Sequence, residues 1–325
     1  KEMASSTMLD IDHIRPDLAE AKERLAFGLD ASRPEAVAKR HGTNHRTAEE
    51  NLHDLLDPGT YIEYGSLTIA AQRRRRKVDD LMRNTARDGM ITGIGSVNAE
   101  YFAGQTPEVN TQCVVMSYDY MVLAGTQGLQ NHRKKDRMFE LAKELRLPVV
   151  LIAEGGGGRP GDTDGAGIAG LDCLAFQLYG DLSGLVPRIG ITTGRCFAGN
   201  AALLGASDVI IATEDSNIGM GGPAMIEGGG LGIFTPDDVG PMDVQVPNGV
   251  VDIAVKDEAE AMRAAKKYLS YFQGRNTEWS CGDQRLLRSA IPENRLRIYD
   301  IRAVINALAD TDSVLELREH FGLGM

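Results

Sequence analysis

Long apolar runs, paired cysteines and a nucleophile set beside a histidine are all missing from this sequence, and each absence removes a class of function. No run approaches the roughly 18 apolar residues of a membrane span. The longest, at 147–153 and 209–212, are of strand length and end in polar residues or glycine. The opening Lys1-Glu2-Met3-Ala4-Ser5-Ser6 lacks the apolar core of a signal peptide. No membrane partner is expected, and the expected location is the cytoplasm, or the mitochondrial matrix in a eukaryotic cell. The four cysteines, Cys113, Cys173, Cys196 and Cys281, lie far apart with no Cys-x-x-Cys pair. That argues against a zinc ribbon and a disulfide framework and leaves reduced, structural thiols, so no metal is expected in this chain.

Histidine is scarce where chemistry would need it. Four of the six, His13, His41, His45 and His53, fall in the polar N-terminal region, and neither His132 nor His320 accompanies a Gly-x-Ser-x-Gly elbow. A Ser-His-Asp hydrolase is therefore disfavoured. No Gly-x-x-x-x-Gly-Lys-Ser/Thr loop occurs, and Asp162-Thr163-Asp164-Gly165 lacks the other ligands of a calcium loop. Net positive charge is also absent: the formal charge is −11, which speaks against an extended nucleic-acid surface. Within that acidic background two compact basic groups stand out, Arg73-Arg74-Arg75-Arg76-Lys77 and His132-Arg133-Lys134-Lys135. Each could meet a small polyanion or simply be a solvated helix face.

What is present is an α/β pattern. A chain of 325 residues, 42% of them hydrophobic, can bury the core of one large domain or two smaller ones. Residues 17–27 read as a peripheral helical arm. Thr47-Ala48-Glu49-Glu50 signals a helix start, because the threonine can cap the first turn while the glutamate three residues on reaches back. Asp57-Pro58-Gly59 closes that region with a turn. From residue 91 short β-rich runs recur at 91–97, 112–118, 149–153, 186–192, 209–212 and 250–255, with helical stretches between several of them. The longest connector, 126–145, spaces Leu129, Met138, Leu141, Ala142 and Leu145 for a helix with one face on the sheet. A further amphipathic helix is predicted at 258–272. The composition turns polar at 274–283 around the only tryptophan, Trp279, which marks a domain boundary. Beyond it a helix at 300–308 and a strand at 313–317 are too little for a second core.

Glycine carries the chemistry. The 37 glycines concentrate at 155–170, 190–205 and 219–232, after predicted strands. Such runs bring backbone close to a ligand or turn it sharply. A strand at 147–153 runs into Glu154-Gly155-Gly156-Gly157-Gly158-Arg159, and another at 189–192 precedes Arg195-Cys196-Phe197-Ala198-Gly199-Asn200-Ala201-Ala202. In the second, glycine opens a helix whose first N–H groups have no partner within it. Those groups can hold an oxyanion, or the glycine can serve only close packing of helix on strand.

The ordered set Arg33-Pro34-Glu35-Ala36-Val37, Leu55-Leu56-Asp57-Pro58-Gly59, Val122-Leu123-Ala124-Gly125-Thr126, the 155–159 loop, Ala198-Gly199-Asn200-Ala201, Gly219-Met220-Gly221-Gly222-Pro223 and Leu269-Ser270-Tyr271 resembles the carboxyltransferase component of biotin-dependent acyl-CoA carboxylases. The resemblance covers about residue 33 to the end and is nearest the propionyl-, methylcrotonyl- and long-chain acyl-CoA type, most of all its broad-specificity and long-chain branch. It implies a crotonase-like (ClpP/crotonase) ββα superhelix. It also implies an N-terminal arm over 1–32, an acyl-CoA-binding domain over 33–280, and the start of an incomplete second domain over 281–325. By the same resemblance Gly199 and Asn200 are backbone donors to the thioester enolate oxygen. Gly156, Gly157 and Gly158, with Gly221 and Gly222, line the acyl-CoA pocket. Arg133 and Lys134 meet the CoA phosphates, with 73–76 a weaker candidate. Asn200 departs from the family's usual second glycine, so either the loop differs or its amide adds a contact.

The cofactors so implied are biotin, carried as carboxybiotin on a partner domain, and a coenzyme A thioester. The implied partners are a biotin carboxyl carrier, a biotin carboxylase and, in the full-length enzyme, further copies of the chain. Because carboxybiotin can release CO2 and biotin can then take the α-proton, no side-chain base is required. Active sites of the family form between domains of two subunits, so this chain alone is expected to bind acyl-CoA weakly and not to carboxylate it. Three alternatives stand beside this reading: a biotin-dependent decarboxylase subunit, a hydratase or isomerase of the same fold, and a binding module without turnover. The hydratase needs placed carboxylates. Ala202 and Gly222-Pro223 stand where they would be, leaving only Glu154 and Glu227 as substitutes.

Overall fold

A computed structural model of the chain describes residues 14–104, 109–165, 173–275 and 277–323. The opening hexapeptide, the first part of the expected arm and residues 166–170 of the first glycine-rich run lie outside them. Among the described residues nine strands form: β1 (Ile62–Glu63), β2 (Met90–Ser96), β3 (Gln112–Tyr118), β4 (Val149–Ile152), β5 (Arg188–Thr192), β6 (Arg195–Phe197), β7 (Val209–Thr213), β8 (Asn217–Gly219) and β9 (Ile253–Val255). Seven make one sheet in the order β1-β2-β3-β4-β5-β7-β9, and β6 and β8 pair as a second, two-stranded sheet. β1, β2 and β3 are antiparallel neighbours, and from β3 to β9 every pairing is parallel. Successive turns of strand, short strand and helix give the crotonase-like α/β architecture.

Side chains that alternate along a strand go to opposite faces, and the core divides accordingly. Val114, Met116, Val149, Leu151, Ile210 and Ala212 point to one face, where the helix Leu129–Leu145 adds Met138, Phe139, Leu141 and Ala142. Val115, Val150, Ile152, Ile189, Ile191, Val209 and Ile211 point to the other. There the helices Ala48–Leu55 and Glu258–Ser270 add Leu52, Leu55, Ala261, Met262, Ala265 and Leu269. A sheet covered on both sides explains why these strands read as unbroken apolar runs. Each fully buried aliphatic side chain contributes roughly 1.5–3 kcal/mol.

The local signals read from sequence hold. The Thr47 hydroxyl accepts from the Glu50 N–H at 3.1 Å, and the Glu50 carboxylate accepts from the Thr47 N–H at 2.8 Å. The 126–145 connector is helical from Leu129. One expectation fails: residues 313–317 form no strand. A strand needs a neighbour's N–H and C=O groups, and the described residues offer this stretch no parallel or antiparallel neighbour. Its surroundings are instead held by Tyr271 Oη donating to Ser313 O at 2.6 Å and by Arg318, which binds Asp252 through both backbone and side chain. No helix of the described residues is long and apolar enough to cross a membrane, and none of them form a group able to hold a metal ion.

Candidate active site

The helix Gly199–Gly205 packs on β5 at Gly190, where a Cβ would sit 2.5 Å from the Ser207 hydroxyl and 2.8 Å from Leu204. That close approach sets how the far end of the helix sits on the sheet. Ala198, just before it, adopts φ 52°, ψ −122°, and donates its N–H to Gly219 O at 2.9 Å across the β6–β8 ladder. The N–H groups of Gly199 and Asn200 then have no acceptor among the described residues. An unpartnered first turn carries partial positive charge and can receive a negative oxygen.

The 155–158 loop is laid against this helix start by main-chain bonds on both sides. Gly155 N–H donates to Arg195 O at 2.7 Å and Gly155 O accepts from Phe197 N–H at 3.0 Å. Gly157 O accepts from Gln127 N–H at 2.6 Å, and Arg159 N–H donates to Gln127 O at 2.8 Å. Gly157, at φ +88°, faces Ala198 so closely that a Cβ on it would lie 2.7 Å from the alanine methyl. Gly125 and Gly155 press together backbone to backbone: a Cβ on Gly155 would lie 2.0 Å from Gly125 O, and one on Gly125 2.1 Å from Glu154 O. Side chains are impossible there without moving the loop.

Beside these peptides opens a cavity of about 330 Å3 lined by Tyr120, Ala124, Gly156, Arg195, Phe197, Ala198, Gly222, Pro223, Ala224, Met225 and Pro236. Three glycine segments distant in sequence therefore meet at one place: Gly156 and Gly222 are wall residues, and Ala198 leads directly into Gly199. Gly157 is buried behind Gly156, Gly158 bridges to Gln127, and Gly221 sits half-buried beside Met225.

Two expectations need correction. Lys134 cannot reach a CoA phosphate in this geometry. It is buried, its ammonium donates to Arg87 O at 3.2 Å and to Met90 O, and burial pushes it down to about 8. Arg133 on the same helix is exposed and keeps its guanidinium outside. The Asn200 amide adds no contact to the pocket either. It is fully buried and turned inward, donating to Gly125 O at 3.0 Å, so it braces the Gly125–Gly155 contact from behind. In the Arg-rich run, Arg73 binds Asp164 at 3.0 Å and Arg76 binds Asp80 at 2.6 Å.

The carboxylates a hydratase would need are not offered to the cavity. Both oxygens of Glu154 are held by the Arg40 guanidinium, at 2.8 and 2.7 Å, in a buried pair; burial pushes its carboxyl up while Arg40 opposes the shift. Glu227 is exposed on the surface helix Pro223–Gly228 and is not among the cavity's lining residues. Arg195 is the charged lining residue, tied to Asp237 at 2.8 Å. Behind the site, Lys135 is fully buried and donates to the Tyr118 hydroxyl at 2.7 Å. Burial pushes its ammonium down to about 7, and the neighbouring buried His132 down to about 3. Sequence reading passed over Gln127 and took Lys135 only as part of a basic cluster. The second had a signal: Asn131, Lys135, Met138, Phe139 and Ala142 share the i, i+3, i+4 stripe that faces the sheet.

The family model of the carboxyl transferase domain matches residues 39–325. The chain is 28% identical over 320 residues to the biotin-dependent long chain acyl-coenzyme A carboxylase beta4 subunit of Mycobacterium tuberculosis, covering 94% of this chain and 57% of that one. Among solved structures it matches a single-chain, multi-domain long-chain acyl-CoA carboxylase with a TM-score of 0.89 and 55% identity, over 96% of this chain and 30% of the other. It also matches the transcarboxylase 12S subunit, described as a hexamer assembly binding substrate in a multienzyme core. That match has a TM-score of 0.74 and 25% identity, over 94% of this chain and 58% of the other. The chain thus spans little more than half the length of its curated relatives.

Proposed function

The chain belongs to the carboxyl transferase domain family, and from that membership we propose that its glycine-walled cavity binds an acyl-CoA thioester and stabilises its enolate during carboxyl transfer from carboxybiotin. The observation that carries the reading is that Gly156 of the loop, Gly222 and Ala198, the residue that leads into the unpartnered N–H groups of Gly199 and Asn200, line one cavity whose lining residues include no carboxylate. As the α-proton leaves, negative charge gathers on the thioester oxygen. Preorganised N–H donors meet that charge without reorganisation, and one such donor is worth about 10²–10³ in rate. Phe197, Pro223, Ala224 and Met225 supply a low-dielectric wall that strengthens the interaction. Biotin, when presented by its carrier, supplies the carboxyl group and takes up the α-proton. This fits the site, because this chain's residues then need to orient and to stabilise, and no side-chain base is demanded of them.

Arg133 is the proposed contact for CoA phosphate, with the 73–76 run secondary. Residues 33–280 form the proposed acyl-CoA domain and 281–325 the start of a second, with a carboxyl carrier, a biotin carboxylase and further copies of the chain as proposed partners. A long acyl chain is the favoured substrate. The support is the 55% identity to a long-chain enzyme and the exposed apolar residues in the sequence around the wall residue Met225, namely Met220, Leu231, Ile233 and Phe234.

Calorimetric titration with acyl-CoAs from acetyl to palmitoyl tests the reading. Saturable binding that strengthens with chain length is expected. Gly199→Pro, which removes the N–H, should weaken it at least tenfold relative to Gly199→Ala, which adds a similar Cβ but keeps the donor. Absence of binding to every acyl-CoA by folded protein would overturn it.

A further inference from the structure

We propose that Gln127 is a positioning residue, which sets the spacing between the 155–158 loop and the peptide of Gly199. Its main chain is already bonded to the loop on both sides, from N–H to Gly157 O at 2.6 Å and from O to Arg159 N–H at 2.8 Å. Its side chain reaches the other wall: a Cβ on Gly199 would lie 2.6 Å from Gln127 Oε1. One residue therefore touches both the loop and the start of the Gly199 helix. Gln127 itself has little freedom. Thr126, its neighbour, accepts from Arg159 Nη2 at 2.8 Å and Asn131 Nδ2 at 3.1 Å through its carbonyl, and from Arg159 Nε at 3.0 Å through its hydroxyl.

The amide is fully enclosed, and its Nε2 has no partner of good geometry among the described residues. It lies against the Tyr118 hydroxyl, which the buried Lys135 ammonium donates to from the far side. The amide thus stands between the Gly199 peptide and the Tyr118 hydroxyl while the main chain of the same residue holds the loop, so its length sets the distance between the two walls.

This inference rests on the enolate-stabilising reading of the same cavity. Because a spacer acts on the transition state and not on ground-state binding, its loss should fall on kcat. Carboxyl transfer is measured in the enzyme as it occurs, with its biotin-bearing component supplied, for wild type, Gln127→Ala, Gln127→Met, Gly199→Ala and the double variant Gln127→Ala/Gly199→Ala. Circular dichroism confirms that each is folded. Gln127→Ala should lose roughly 10- to 100-fold in kcat with KM for acyl-CoA within about twofold, a fraction of the loss of a whole donor. Gln127→Met, of similar length, should recover much of that. Gly199→Ala should be impaired by its methyl against Oε1, and the double variant should be no worse than the poorer single one, since the alanine opens the space the methyl needs. Losses that multiply in the double variant, or that appear in KM, overturn the assignment of Gln127 while leaving the enolate reading intact. Absence of transfer by the wild type overturns both.

Discussion

The sheet-centred core and the segment 277–323 are built from similar proportions of apolar residues yet end in opposite states. Between β3 and β7 most of the described apolar side chains are buried, on one face or the other. In 277–323 almost none is: Leu296 is 94% exposed and Ile298 99%, and the helix Ile301–Leu308 buries nothing despite apolar residues at helical spacing. The segment is held by a few polar ties, such as the paired Arg302 and Glu316 at 2.5 Å and Arg318 on Asp252 at 2.7 Å. Apolar content alone therefore does not say where stability resides; the presence of a facing surface does.

That contrast can be broken at its strong end. Leu151→Ala, at a fully buried position of β4, is expected to destabilise by about 2–5 kcal/mol, because its neighbours on the sheet face cannot collapse into the space. Urea denaturation followed by far-ultraviolet dichroism measures it, and a loss below 1 kcal/mol would place β4 outside the cooperative core.

A subtler effect tests whether everything buried in the core stabilises it. Lys135 is held at about 7 when folded, against 10.5 as its ordinary value, by burial and the nearby Arg159 charge, despite Cys173, Asp136 and Asp88. A group whose folded value is depressed binds fewer protons folded than unfolded between those limits. Stability should then rise as pH climbs from about 7 towards 10.5, and the penalty should be fully present below 7. Lys135→Met is expected to raise stability at pH 6 by an amount on the order of 1 kcal/mol, and the advantage should shrink by pH 9. An advantage independent of pH would mean that Lys135 keeps its ordinary value in the folded protein.

At the weak end, Ile298→Ser should change stability by less than about 0.5 kcal/mol in the same denaturation experiment. A larger loss would show that the segment packs in solution against a surface not described above.

The same contrast explains what could be read from the sequence. Elements whose signals are local were legible: the Thr47 cap, the strands that become β2 to β5, and the helix from Leu129. The segment at 313–317 misled because a β-rich composition says nothing about whether a neighbouring strand exists. Lys134 misled for a related reason, since a basic cluster on a helix splits between faces: Arg133 goes to solvent, Lys134 to backbone carbonyls and Lys135 to the interior. The glycine motifs located the cavity, but the direction of the Asn200 amide and the spacing role of Gln127 depend on contacts between segments 30 to 75 residues apart, which no local pattern encodes.

The walls of the cavity come from successive crossovers of one parallel sheet, at Tyr120 and Ala124, Gly156, Ala198 and Gly222. No fragment shorter than that span can hold the site. Parallel pairings of such sequence separation close slowly, because loop entropy must be lost before contacts form. On the folding pathway the donor peptides therefore come into register late, after the local helices exist and while the apolar strands are still open to mispairing. The cavity is thus an emergent property of the completed sheet, and its appearance can report that folding has finished.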